Sequence, residues 1–278
     1  MAFQILKPEI SGVSKAVWNK VKNSKVFWMF FVFAFLGMTL MIIKGLKDKQ
    51  DPNMLFLIFP SYFVIAISTY ISIVGSGARD SFWKQLADIN GWRYTNHGAP
   101  EQELGVMFRS GKYMKKSHII SGNINNRQFR IFNYEFGVKG SSEKGIVYHY
   151  TVFAFKFNGF FPHIYLNNSH NSYGVNVGEK IPLPAEFEKK FSLSAPKEYE
   201  IEALEIFTPD VLTSLLDGGF TYDIEFVNQE MLIFSEGQIN NFEKLEKEFR
   251  RALELEDLFD EKLDKFKFQP IGDMPHSL

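Results

Sequence analysis

The chain has 278 residues, no cysteine and a net charge of −1. Without cysteine, disulfides, thiolate catalysis and Cys-ligated zinc or iron–sulfur sites are excluded. The charge is uneven: residues 1–78 hold 8 Lys+Arg against 3 Asp+Glu (+5), residues 79–190 hold 15 against 9 (+6), and residues 191–278 hold 8 against 20 (−12). The basic part includes the most apolar part, as expected beside an anionic leaflet, and no nucleic-acid partner is expected.

Residues 1–25 form a basic lead. Val13, Val17, Trp18 and Val21 share one helical face with Lys15, Lys20, Lys22 and Lys25 around it, the pattern of a segment lying in a membrane interface. The lead is too long for a cleavable signal. Two uncharged apolar runs follow, Val26–Ile43 with 18 residues and Met54–Val74 with 21, joined by the polar Lys44–Asn53. A bilayer span takes ~20 apolar residues, so residues 26–77 are expected to form a transmembrane helical hairpin. Ser61, Ser68 and Ser72 share one face, which together with Gly37 is expected to pack the two helices together. The flanks carry eight Lys and Arg (Lys7, Lys15, Lys20, Lys22, Lys25, Arg79, Lys84 and Arg93) against Lys44, Lys47 and Lys49 in the link. By that asymmetry both termini are expected to be cytoplasmic, with the link outside. Neither run holds an ionisable residue, so the hairpin is read as an anchor and not an ion path.

Residues 78–237 read as a cytoplasmic α+β domain with a mainly antiparallel sheet. Arg79–Asn90 is expected to be a helix closed by Gly91, followed by a short strand at Trp92–Tyr94 and a short helix at Pro100–Phe108. Arg109, Lys112, Lys115 and Lys116 form the densest basic cluster and are candidates to face anionic lipid headgroups, with a solvated loop as the bland alternative. Ser117–Ile124 and Arg127–Phe136 flank Asn125-Asn126 as a hairpin. Ile146–Phe157 is a strand, Gly159–Pro162 a turn and His163–Leu166 a further strand. Asn167–Gly178 reads as a surface loop. Helical turns are expected at Pro184–Lys190 and Tyr199–Glu205. Thr208-Pro209-Asp210 opens a helix that stops at Gly218-Gly219. Phe220–Val227 and Met231–Ser235 are expected to pair as a hairpin across Asn228-Gln229.

Residues 238–268 read as a long amphipathic helix with the stripe Phe242, Leu245, Phe249, Leu253 and Leu263, docked on the sheet or projecting to dimerise. Glu243–Lys247, Glu246–Arg250 and Glu261–Lys265 are supporting i,i+4 pairs. Residues 269–278 read as a disordered tail.

Tests for chemistry give little. Gly140–Gly145 has the glycines of a phosphate-binding loop, but Ile146 stands where the lysine belongs. Asn167-Asn168-Ser169 is a glycosylation sequon by letter only. His149, His163 and His170, with Glu135, are the weak candidates for an acid–base or metal site, should they converge. No cofactor is expected.

The chain resembles a group of bacterial membrane proteins in which a two-helix hairpin precedes a cytoplasmic α+β domain of unknown function. The residues that carry the resemblance are Leu86-Ala87 with Gly91-Trp92-Arg93-Tyr94, Gly122 with Arg127 and Tyr134, the Tyr148–Phe155 strand and Phe161-Pro162. Phe187 to Phe191, and Phe207-Thr208-Pro209-Asp210-Val211 before Leu215-Leu216, extend it over most of residues 26–236. These are caps, turns and core aromatics, and the resemblance implies no catalytic residue. The expected function is a membrane-anchored binding or scaffold module whose partners are the bilayer and a protein or a second copy. The alternatives are a tethered enzyme acting on a lipid or envelope precursor, and an accessory subunit of a transporter.

Overall fold

The structure, a computed structural model, describes residues 5–9, 11–47, 52–138, 145–171 and 173–263; within the long helices some of these are described by backbone alone. The glycine loop at 140–145, the Glu261–Lys265 pair and the tail fall wholly or partly outside them. The chain divides into two compact units. Of the described residues, one holds those within 7–86 and 240–242, and the other those within 5–6, 87–239 and 243–263.

In the first unit, α1 (Val13–Asn23) buries Val13, Ala16 and Val21 and exposes Trp18. α2 (Lys25–Lys47) and α3 (Pro52–Ile89) take up the two apolar runs and part of the link between them. α3 runs without a break through Gly75-Ser76-Gly77, so the separate helix expected at Arg79–Asn90 is its last turns. Helical geometry carries through two glycines because neighbouring residues keep the hydrogen-bond ladder; each glycine costs about 1 kcal/mol. Among the described residues no helix is long and apolar enough to cross a membrane. The spanning hairpin expected from the sequence therefore has no support from the described helices, in which side chains such as those of residues 52–63 are left out.

The second unit is built on one sheet. Its strands are β1 (Arg93–Gly98), β2 (Lys112–Ile124), β3 (Arg127–Val138), β4 (Ile146–Asn168), β5 (Glu179–Ile181), β6 (Phe191–Ala195) and β7 (Asp223–Glu236). The order is β1-β2-β3-β4-β6-β5, with β7 on the other side of β4, and every pairing is antiparallel. β2 and β3 join at Asn125-Asn126, both at positive φ (50° and 65°), as a two-residue hairpin turn with the right twist requires. Three short helices, α4 (Ala185–Glu188), α5 (Glu200–Ile206) and α6 (Pro209–Asp217), accompany the sheet, with the long α7 (Phe242–Leu263) that begins in the first unit.

Two expected chain reversals are bends within single strands. β4 is one strand of 23 residues through Gly159–Pro162, and β7 is one strand of 14 residues through Asn228-Gln229. The β4–β7 register shifts between Lys156 and Ile164, opposite Asn228 at φ 53°. The turn residues thus mark bulges, where one ribbon bends and β4 exchanges β3 for β6 as its neighbour.

A second bulge sets which side chains share a face. On β2 the register shifts by one between Ser117 and Ile120, at His118 with φ 52°. A one-residue slip moves every later side chain to the opposite face. Lys116 and Ser121, an odd number of positions apart, therefore point the same way. That face carries an aromatic cluster of Phe108, Phe132, Tyr134, Phe136, Tyr150 and Phe234. It is closed by the segment between β1 and β2, where two short 3-10 turns (Pro100–Gln102 and Val106–Arg109) replace the single helix expected.

The opposite face receives α7. Phe249 lies 5.0 Å from Phe129, 5.9 Å from Phe153, 6.4 Å from Phe155 and 6.1 Å from Trp92, centroid to centroid. Phe259 packs on Phe226 and Phe207 at 5.0 and 5.4 Å. α7 is docked on its own sheet. Its buried stripe is Leu245, Phe249, Ala252, Glu256, Phe259 and Leu263, spaced 4-3-4-3-4, and Leu253 is only half-buried. A carboxylate therefore occupies a core position of the helix.

Candidate functional site: a polar cleft on the sheet

A cleft of about 760 Å³ opens on the sheet face that carries the aromatic cluster. Strand register explains it. Arg93 on β1 stands opposite Ser121 on β2, Ser121 opposite Arg130 on β3, and Arg130 opposite Ala154 on β4. Directly opposed residues of an antiparallel pair share a face, so these four form one row. In the next row out, Asn123 faces Gln128, and Lys156 faces Glu230. Two small side chains, Ser121 and Ala154, alternate with long cationic ones, and the space above the small ones is the cleft. Asn90, Gly91 and Trp92 line its end.

The cations differ in how they are held. The Arg130 guanidinium donates to both oxygens of Glu103 (2.7 and 3.0 Å) and to both of Glu230 (2.7 and 2.8 Å). Glu103 also accepts from the Lys116 ammonium, and that ammonium sits 4.4 Å from the centroid of the Phe132 ring. Glu103 and Lys116 are buried. Burial pushes the Lys116 ammonium below its ordinary value, with the Glu103 hydrogen bond opposing. Arg93 and Lys156 are exposed and have no hydrogen-bonding or ion-pairing partner among the described residues. The cleft thus has three cations, Arg93, Arg130 and Lys156, against one lining carboxylate, Glu230.

A second carboxylate layer follows on the same face of β7. Glu225, fully buried, accepts from the Val106 N–H at 2.6 Å and pairs with His163 Nε2 at 2.5 Å. A Cβ at Gly105 would stand 2.6 Å from Glu225 Oε2, so only glycine lets the turn approach this closely. Asp223 accepts from the Asn168 N–H at 2.6 Å, and burial raises its carboxyl to about 7.

On the other face, Arg127 clamps α7. Its guanidinium bonds Glu256 and Asp257, and it reaches Asp260 at 2.9 Å. Burial raises the Glu256 carboxyl to about 7, with the Arg127 charge opposing. A carboxyl raised above its unfolded value contributes stability that is complete below about pH 4 and is lost as pH rises through about 7. Arg127→Ala should therefore cost about 3 kcal/mol at pH 8, where it strands a buried carboxylate, and clearly less at pH 5, where Glu256 is protonated. Denaturation of the full chain at the two pH values measures this; an equal loss at both would sink the assignment.

The residues singled out from the sequence are placed differently from expectation. His149 and His163 sit on opposite halves of β4, and His170 is exposed in the loop after it, so the three do not converge. His149 lies 3.3 Å from Glu135, which also pairs with Lys115 at 3.3 Å. His163 belongs to the Glu225 pair instead. Among the described residues no cluster of His, Asp and Glu has the arrangement to hold a metal ion. In the basic cluster Lys112, Lys115 and Lys116 are strand residues and Arg109 ends a 3-10 turn; Arg109, Lys112 and Lys115 are exposed, and Lys116 is buried in its ion pair, out of reach of a headgroup. Ser68 and Ser72 are exposed, and a Cβ at Gly37 would meet nothing within 4 Å. α2 and α3 meet through aromatic rings, Phe27 and Tyr70 at 5.2 Å, because large rings bridge a gap that small side chains leave open. The backbone of Ser61 lies in α3; its side chain is outside the described ones.

Arg93, Arg130 and Lys156 were not evident as a group from the sequence. Ala154, alone between Val152 and Lys156 on an aromatic strand face, was the signal for a hollow there.

Fold and cleft together define an α+β protein whose seven-stranded antiparallel sheet carries a helix on one face and an open cationic cleft on the other. No protein-family model matches the chain, and no curated protein does. A solved structure similar to it is that of the mycobacterial trehalose monomycolate transport factor A, TtfA. The TM-score is 0.48 and the identity 13%, over 70% of this chain and 98% of that one.

Proposed function

We propose that the protein is a membrane-anchored binding module. The bilayer holds it through the α2–α3 hairpin, both termini lie in the cytoplasm of a bacterial inner membrane, and the sheet domain binds its ligand or partner in the polar cleft. The carrying observation is the exposure of α2. Trp28, Met29, Phe31, Val32, Phe33, Phe35, Leu36, Leu40 and Ile43 are all exposed, Phe33 by 69% and Leu40 by 68%. Successive residues of a helix point about 100° apart, so Phe31, Val32, Phe33, Phe35 and Leu36 spread over about 200° of the circumference, and Trp28, Met29, Leu40 and Ile43 fall within the same arc. An uncharged apolar face that wide belongs in a core or in lipid, and these side chains are in no core among the described residues. The uncharged sequence of both runs and the exposed Trp18 of α1, ringed by lysines, fit the same reading. The dispersal of the histidines weighs against a catalytic role for them.

The absence of cysteine makes the test simple. Lys49→Cys in the link should react with a membrane-impermeant maleimide in intact cells. Glu198→Cys should react only after lysis, and alkaline carbonate should leave the full chain in the membrane fraction. Release by carbonate would defeat the anchor, and the opposite labelling pattern would defeat the orientation.

A further inference from the structure

We infer that the cleft between Arg93 and Lys156 is a binding site for a phosphorylated polyol, the charge going to the two cations and the hydroxyls to the amides around them. The inference rests on the reading of the sheet domain as a binding module and names its ligand class.

Charge comes first. Arg130 is saturated by Glu103 and Glu230, a frame that fixes its plane and offsets its charge. Behind it Lys116 offsets the second carboxylate. The four groups of that frame sum to zero, so the positive excess of the cleft comes from Arg93 and Lys156. Both are exposed and unpaired among the described residues. They stand on β1 and β4, three strand spacings (~14 Å) apart across the sheet and one row (~7 Å) apart along it. Long side chains reaching inward from both sides close on a ligand larger than one inorganic ion, and the volume of about 760 Å³ agrees.

The rest of the lining specifies neutral polarity. Asn123 and Gln128 offer amide donors and acceptors, and Ser121 a hydroxyl, over a floor kept low by Ala154, while the Asn90 amide is held by the Leu6 backbone. Amides that can both donate and accept match hydroxyl groups, whereas an apolar anion such as a fatty acid would offer them no partner. Arginine and lysine flanking such a surface match phosphate, which accepts bidentate guanidinium contacts and point-charge ammonium contacts alike.

The same chemistry occurs in a free sugar phosphate and in a phosphoglycerol headgroup, and the experiment separates them. The full chain in phosphatidylcholine nanodiscs is titrated calorimetrically with fructose 1,6-bisphosphate, and separately with dihexanoylphosphatidylglycerol below its micelle concentration. Dihexanoylphosphatidylcholine is the control. Saturable binding of the sugar bisphosphate assigns a soluble ligand, and saturable binding of the phosphatidylglycerol alone assigns a headgroup. In either case the double variant Arg93→Gln/Lys156→Gln should bind about tenfold more weakly or worse, and raised salt should weaken the wild type. Both positions are exposed, so the variant should keep its circular dichroism spectrum and melting temperature. No saturable heat with either probe at millimolar concentration, or unchanged affinity in the double variant, overturns the assignment. Co-elution with the nanodisc is read independently, so loss of ligand binding and loss of membrane attachment are told apart.

Discussion

Glu103→Ala should destabilise the full chain by about 3–5 kcal/mol at pH 7, because it removes one partner of a buried charge network and leaves the other charged. Glu103 is 4% exposed and accepts from two cations, and Lys116 is 6% exposed with Glu103 its one hydrogen-bonded carboxylate among the described residues. Without Glu103 the favourable electrostatic neighbours of that ammonium among the described residues are the Phe132 ring and the more distant Glu230. The loss should depend on pH in a stated direction. Burial already lowers the Lys116 ammonium, and Glu103 is the main influence holding it up, so the variant lowers it further. For a base whose folded value lies below its unfolded one, the unfolded chain binds more protons between the two, and stability rises with pH across that interval. The deficit of Glu103→Ala should therefore shrink between pH 7 and about 10. Lys116→Met alone should cost less, since Glu103 keeps Arg130. The pair Glu103→Leu/Lys116→Met should recover most of the loss, since apolar replacement of a buried ion pair is often neutral. Thermal melts of the four proteins decide it; a double variant no more stable than Glu103→Ala would show that the pair does not act as a unit.

Much of the sheet domain was legible in local chemistry. Asn125-Asn126 announced a two-residue turn, Thr208-Pro209 opened α6 and Gly218-Gly219 closed it, and the runs around Tyr150 and Ile131 alternated as strands do. α6 departs from expectation in one detail: the Thr208 hydroxyl donates to Asp210 at 2.5 Å and does not cap the helix backbone. What stayed hidden was long-range. Gly159–Pro162 and Asn228-Gln229 carry the residues of a chain reversal, and nothing local distinguishes a reversal from a bulge in two strands that bend together. The bulge at His118 was equally silent. It turns Lys116 from the solvated residue its neighbours imply into a core ion pair, and it sets Ser121 in the row of Arg93 and Arg130. The cleft is a product of register across four strands, and register is fixed by packing that no single segment records. The same holds for Glu256, whose place in the stripe of α7 becomes intelligible only with Arg127 opposite.

Phe249→Ala carries the other large effect, and it tests how α7 is used. The ring fills the space between Trp92, Phe129, Phe153 and Phe155, within about 5–6.4 Å of each centroid, and is 1% exposed. Three of those neighbours are side chains of paired strands, whose backbones are held by ladders on both sides or by the β2–β3 hairpin, and the fourth follows the end of α3. They cannot collapse into the void, so the loss should reach about 3–5 kcal/mol, the range for truncating a buried aromatic in an unyielding site. Phe249→Leu should cost less, because most of the volume remains. The helix itself is not the weak link: Ala is a better helix former than Phe, so the substitution removes packing without removing helicity. Had the distal half of α7 projected to pair with a second copy, the truncation would instead loosen an oligomer, and its effect would fade as protein concentration rises. A docked helix predicts a loss independent of concentration. Melts of wild type and variant across a hundredfold dilution distinguish the two; a concentration-dependent deficit would reassign α7 to an interface between copies.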